Sequence, residues 1–376
     1  MGLELKNKPR ILCNQAVQWW STESSCLRYC KNEATEAGWL LGGRVFARGA
    51  SVLHPEDVAP QHRGGSSQGL PTMVRLQPAP PPQRHKFSFR WACSSLSLLR
   101  WALSQLPASE QAGKDAAWKA RVCMEAAANG CLEVLQWARQ NGCPWDEGTC
   151  MVAAAGGHLE VLRWARANGC PWDVTTASAA AIEGHLGVLQ WARANGCLWD
   201  ESACNFAAVR GHLEVLRWLR TNGCPWDEGT CSFAANGGHL AVLQWARENG
   251  CDWNEGTCAS AAAKGHLEVL KWARANGCPW GMAVCSAAAA DGHLEVLQWA
   301  RSNGCPWSED TCELAAIFGQ LDTLKWAREN GCPWNETVCH GAVAQGHLDV
   351  FRWARDHGCP CWPEDEEFFR QLTKKH

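Results

Sequence analysis

Residues 146–172 read DEGTCMVAAAGGHLEVLRWARANGCPW, and this stretch decides the fold. Asp146 is a favoured helix N-cap, because its carboxylate can accept one of the unpaired backbone N–H groups of the first turn. Glu147 follows at the first helical position, where the helix dipole favours an acid. Trp145 before the cap and Cys150 at the fourth helical position have the spacing of a hydrophobic staple. A short helix A is therefore expected over 147–155, closed by Gly156-Gly157. A second helix, B, is expected from His158-Leu159-Glu160 to the Asn168-Gly169 stop. Its apolar residues Leu159, Val161, Leu162, Trp164 and Ala165 sweep about 220° of helix surface. That arc is too wide for a single partner and suits a helix wedged between two neighbours.

The stretch is one copy of many. Gly130, Gly157, Gly184, Gly211, Gly238, Gly265, Gly292, Gly319 and Gly346 are spaced 27 residues apart, and a tryptophan column from Trp137 to Trp353 keeps the same period. Nine 27-residue units fill residues 119–361. A fixed period of this length means a solenoid. The fold class expected is all-α, a solenoid of helix-turn-helix repeats. Eight N-cap positions recur as Asp146, Asp173, Asp200, Asp227, Asn254, Gly281, Ser308 and Asn335.

Outside the units the pattern decays. Residues 1–50 carry no sustained period. Residues 51–86 are rich in Pro, Gly, Ser and Gln, which predicts a disordered linker with a polyproline II piece around Pro78–Pro82. Residues 87–118 hold Leu96-Ser97-Leu98-Leu99-Arg100-Trp101-Ala102, a worn copy of LEVLRWA, and are expected to form a capping repeat. Beyond Cys361, residues 362–376 are displaced by one position and read as a charged closing helix.

At AAAGGHLEVLRWARANG the sequence resembles an ankyrin repeat: an alanine pair ending helix A, then Gly-His, Leu-Glu-Val-Leu and a terminal Asn-Gly. The likeness recurs nine times over about two-thirds of the chain. It departs in three places. Thr149-Cys150 stands where ankyrin has T-P-L-H, Trp164 replaces a leucine, and the unit lacks the six residues in which ankyrin carries its β-hairpin finger. The resemblance therefore implies a hairpin-less variant that binds protein partners without catalysis, through helix A.

The composition narrows the chemistry. The 376 residues include 35 basic and 38 acidic side chains, a balance that does not suggest a dedicated nucleic-acid binder. No apolar run approaches a membrane span. The amino end reads as neither a signal peptide nor a myristoylation site, since Lys6 stands where Ser or Thr is wanted. With 23 cysteines and no secretory signal, free thiols in a reducing compartment are expected, so the protein is placed in the cytoplasm or nucleus. Seventeen of those cysteines fall on two repeated columns, typified by Cys143 and Cys150, which makes them packing multiplied rather than a disulfide framework. A Cys/His ladder that binds metal or senses oxidants is an alternative. Spacings of seven and eight residues supply no close ligand pair, however, and Ala177 and Gln320 interrupt the columns. An arginine row, Arg139 to Arg355, offers a second alternative, an RNA or polyanion binder. Its simpler role is to complement each helix C-terminus. The Gly65–Gly69 match to G-x-S-x-G lies in the linker without a strand or helix around it. No enzyme activity, metal or cofactor is expected, and the chain is expected to be monomeric.

Comparing the nine units with one another separates what packs from what is free to recognise. On helix A, the columns of Thr149, Cys150, Ala153 and Ala154 are near-constant, whereas those of Gly148, Met151, Val152, Ala155 and Gly156 vary and lie on the opposite face. That variable face carries Met151, Asn205, Phe206, Arg210, Phe233, Lys264, Asp291, Glu313, Leu314, Phe318 and His340. These are the candidate partner-binding residues, with Phe206, Phe233 and Leu314 as expected anchors.

Overall fold

A computed structural model describes residues 89–104 and 117–373. The expectations for 1–50 and for the linker, including the Gly65–Gly69 match and Pro78–Pro82, lie outside the described residues. The chain divides into two units, 1–91 and 92–376, and the repeats belong to the second.

Every element described is a helix. The A helices run Ala117–Ala128, Glu147–Ala155, Val174–Ile182, Glu201–Val209, Glu228–Asn236, Glu255–Ala263, Met282–Ala290, Glu309–Ile317 and Glu336–Gln345. Each is followed by a B helix: Leu132–Gln140, Leu159–Ala167, Leu186–Ala194, Leu213–Thr221, Leu240–Glu248, Leu267–Ala275, Leu294–Ser302, Leu321–Glu329 and Leu348–Asp356. Helix Leu96–Ser104 packs on the first B helix, and helix Pro363–Thr373 packs on the last A helix. The described residues of the second unit form an all-α solenoid of paired helices.

Two glycines per unit make the tight turns. Gly157 and Gly169 have φ of 70° and 83°, a region that costs an L side chain about 1–2 kcal/mol. The first turns the chain from A to B and the second ends B, as Asn168-Gly169 leads one to expect. Successive A helices lie against each other along their length, while successive B helices touch little. Alanine explains the difference: Ala153, Ala154 and their equivalents are fully buried and let A backbones approach. The B helices contribute Val161, Leu162 and Ala165, also buried, toward the A row.

Five of the eight N-cap side chains do cap. Asp173, Asp200, Asp227, Asn254 and Asn335 each accept from the amide two residues on, at 2.9–3.1 Å. Gly281 has no side chain to offer. Ser308 instead donates its hydroxyl to Asp310 (3.1 Å), and Asp146 makes no side-chain cap bond.

Three further expectations are revised. The tryptophans of the repeats, whose place on apolar arcs leads one to expect core packing, are half-buried. Trp145 lies edge-to-face on Trp164 at 5.8 Å instead of serving only as a staple, and the same pairing repeats up to Trp334–Trp353. His158, expected to cap or pack at the start of helix B, stands at the N-cap position without a side-chain cap bond. Its Nε2 donates to the Ala128 carbonyl 30 residues earlier (3.2 Å), at the C-terminus of the preceding A helix. Finally, one cysteine pair, Cys339–Cys361, is disulfide-bonded, while the other 18 described cysteines are free.

Candidate functional site

The variable face of the A helices is half spent on contacts between neighbouring units. Asn205 is buried and accepts from Thr230 Oγ1 of the next unit at 2.7 Å. Phe206, 7% exposed, meets Phe233 edge-to-face at 6.2 Å, one repeat away. Arg210 pairs with Glu183 (3.6 Å) and Lys264 with Asp291 (3.0 Å), each pair again 27 residues apart. Glu313 accepts from Thr337 Oγ1 at 2.8 Å. His340 Nδ1 lies 3.0 Å from Asp365 Oδ1, with its ring on Trp362.

A different group remains partly open. Met151, Phe233 and Leu314 are half-buried, and Phe318 is 50% exposed. Leu314 and Phe318 are four residues apart, so they neighbour each other on one helix face. Phe318 stands at the helix C-cap, where other units carry Gly156, Glu183, Arg210, Lys264 or Asp291. A single unit thus presents an apolar pair on a row otherwise charged or small.

Four partners of this face were not anticipated from the sequence: Glu183, Thr230, Thr337 and Asp365. The signal for the first was present. Opposite charges in one column of adjacent units, as in Glu183/Arg210 and Lys264/Asp291, mark an ion pair that runs along the stack. Asp365 had no such marker, because it lies beyond the last repeat.

The arginine row is occupied. Arg139 Nη1 donates to the Cys143 carbonyl, and its guanidinium lies 4.0 Å from the centre of the Trp145 ring. Both contacts recur at Arg166, Arg220, Arg247, Arg274, Arg301 and Arg328. Each of these seven guanidiniums bonds the connector carbonyl three residues beyond its helix and stacks on the following tryptophan, a use of both its fork and its flat face; Arg193 stacks on Trp199, and Arg355 lies by Phe351 and Phe369 instead.

The cysteine columns are likewise structural. Cys170 donates its thiol to the Asp146 carbonyl at 3.3 Å, and Cys224, Cys251 and Cys278 repeat the contact 24 residues back. Burial pushes Cys197 up to about 11 and Cys123 up to about 12. In the helix A column, hydrogen bonding to a neighbouring thiol, then burial, raises Cys204 (beside Cys224) and Cys258 (beside Cys278). The accepting partners Cys251, Cys278, Cys305 and Cys332 are lowered by the same thiol–thiol bonds, so only the donating member of each pair is held protonated and is a poor nucleophile. Among the described residues no group of three or more His, Cys, Asp or Glu side chains is placed to hold a metal ion. No helix among them is long and apolar enough to cross a membrane.

Comparison with known proteins adds little to this geometry. No protein-family model matches the chain, and no curated protein matches it. Among solved structures, the crystal structure of the human ASB11 ankyrin repeat domain is similar at 20% identity and a TM-score of 0.35, covering 42% of this chain and 84% of that one.

Proposed function

We propose that the chain is a non-catalytic protein-interaction scaffold that captures a protein partner through the variable edge of its A helices. The observation that carries this reading is the Leu314–Phe318 pair. A phenylalanine left half-exposed at a helix end, next to a half-buried leucine, is the kind of apolar anchor on which interface energy concentrates. The charged residues Arg210, Lys264 and Asp291 on the same edge supply a polar rim, although each already has a partner and is available only at its outer side. Phe206 and Asn205 are reassigned from recognition to packing between units.

The experiment is affinity capture with the full chain, comparing wild type with Leu314→Ser/Phe318→Ser and with Arg163→Glu on the opposite, B-helix side. Loss of one and the same partner in the first variant, with retention in the second and unchanged circular dichroism in both, supports the reading. Equal capture by all three refutes it. Salt dependence distinguishes the polyanion alternative. An interface built on phosphate contacts loses affinity steeply with salt, whereas an apolar anchor does not.

A further inference from the structure

We propose that Cys339 and Cys361 form a reversible oxidation site that clasps the closing helix Pro363–Thr373 onto the last repeat. The connector behind each B helix has one pattern: Gly-Cys-Pro-Trp at 142–145, Gly-Cys-Leu-Trp at 196–199, Gly-Cys-Asp-Trp at 250–253. Only the last one carries an insertion, and the inserted residue is a cysteine: Gly358-Cys359-Pro360-Cys361-Trp362. This extra cysteine is the one bonded to Cys339, with Cα atoms 5.4 Å apart, inside the range a disulfide spans.

Cys359 keeps the role its column has elsewhere. It donates to the Asn335 carbonyl at 3.3 Å, and burial holds its thiol up at about 11. Cys361 has no counterpart in other units and is half-exposed, so a small oxidant reaches it. The bond crosses 22 residues and pins the chain two positions before the closing helix. That helix is otherwise held by His340–Asp365 and by Phe351 against Phe369 at 4.8 Å.

The chemistry is thiol–disulfide exchange with a low-molecular-weight disulfide such as oxidised glutathione. The Cys361 thiolate attacks one sulfur of that disulfide and releases one small thiol. Cys339 then loses its proton, and its sulfur attacks the Cys361 sulfur of the mixed disulfide and expels the second small thiol. Two electrons pass from the cysteine pair to the small disulfide, and the two protons end on the released thiols. Excess small thiol runs the steps backward.

The test equilibrates the full chain in glutathione buffers of stepped redox ratio, quenches with acid, alkylates and maps peptides by mass spectrometry. Trypsin cleavage at Arg370 is followed in parallel. A linked Cys339–Cys361 peptide is expected to form while the other column cysteines, such as Cys204 and Cys258, stay reduced. Oxidation is expected to slow cleavage at Arg370 on the order of tenfold, since proteolysis tracks local opening. Cys361→Ser should abolish both the linked peptide and the redox dependence, and Cys359→Ser should abolish neither. The proposal is overturned if no linked peptide forms at any ratio, if column cysteines oxidise alongside it, or if cleavage is the same in both redox states.

Discussion

Two glycine substitutions, twelve residues apart, separate the backbone of the repeat from its coupling to the next unit. Gly238 and Gly250 both follow a helix and both have positive φ, 75° and 82°. Alanine at Gly250 meets open space, so its cost is the left-handed backbone alone, about 1–2 kcal/mol. Alanine at Gly238 carries the same strain, but its Cβ would come within 2.6 Å of the His266 ring. That ring belongs to the following unit, and its Nε2 donates to the Asn236 carbonyl at 3.0 Å. Displacing it strands a helix C-terminal carbonyl and loses a hydrogen bond worth about 0.5–1.5 kcal/mol, for a total of about 2–4 kcal/mol with the lost packing. Urea denaturation at unchanged m reads the difference. A double-mutant cycle isolates the coupling. In a His266→Ala background the two glycine variants should cost nearly the same. Equal costs in the wild-type background, or no convergence in the His266→Ala background, would refute the inter-unit role of the Gly-His motif.

Single residues elsewhere in the stack make sharper tests of particular contacts. Thr176 Oγ1 is buried without a partner, whereas the equivalent Thr230 donates to Asn205, so Met151→Asn should stabilise the fold by roughly 1 kcal/mol; a lower urea midpoint would contradict this. Burial, reinforced by His266 and His212 and opposed by a bond to the Val209 carbonyl, holds His239 below its ordinary value of 6.5. The unfolded chain then takes up the proton first, so its stability contribution is complete above about pH 6.5 and is lost as pH falls below it. His239→Gln, the side chain that column already uses at Gln320, should flatten that part of a thermal-melting profile. Arg274→Lys keeps the charge but gives up the flat stack on Trp280 (4.3 Å) and the forked donor to Cys278, and should cost about 1–2 kcal/mol in thermal or urea unfolding; a Lys variant as stable as wild type would show the stack to be idle.

Local signals written nine times were easy to read. The cap-acid start and the Gly-Gly stop bound helix A at 147–155, where it is found, because both signals act within a few residues. Contacts 24 to 30 residues away were not legible in the same way. Nothing local says that the imidazole of His158 turns back to Ala128, or that the Gly130 turn is bare because that ring needs the room. The tryptophans misled for a related reason. Their place on an apolar arc is consistent with full burial, but what lies against the ring before each cap is a flat arginine side chain, which leaves it half-buried. The candidate site was legible as a set of positions and not as a set of roles, since variation alone does not say whether a residue answers to a partner or to its neighbour.

The column that runs from Met124 through Met151 to His340 shows how far variation can come from inside the stack. Asn205, Ser232 and Ser286 each precede a unit with a threonine one repeat on, and each hydrogen-bonds it: Thr230, Thr257 and Thr311. Ala259 precedes Val284, which has no hydroxyl to satisfy. Ser178 and Glu313 precede Ala203 and Val338, and they reach instead to Ser202 and Thr337, one residue earlier. Polar residues therefore occur in this column where the next unit offers a polar mate, because an unpaired buried hydroxyl is costly and an apolar pair is not. Met124 and Met151 both precede a threonine without offering a polar mate, and the orphaned hydroxyl appears at the second, on Thr176. Such pairwise matches couple each of these A helices to the next. Among the apolar candidate positions Phe318 is the most exposed, and it is the one on which the proposed capture of a partner rests.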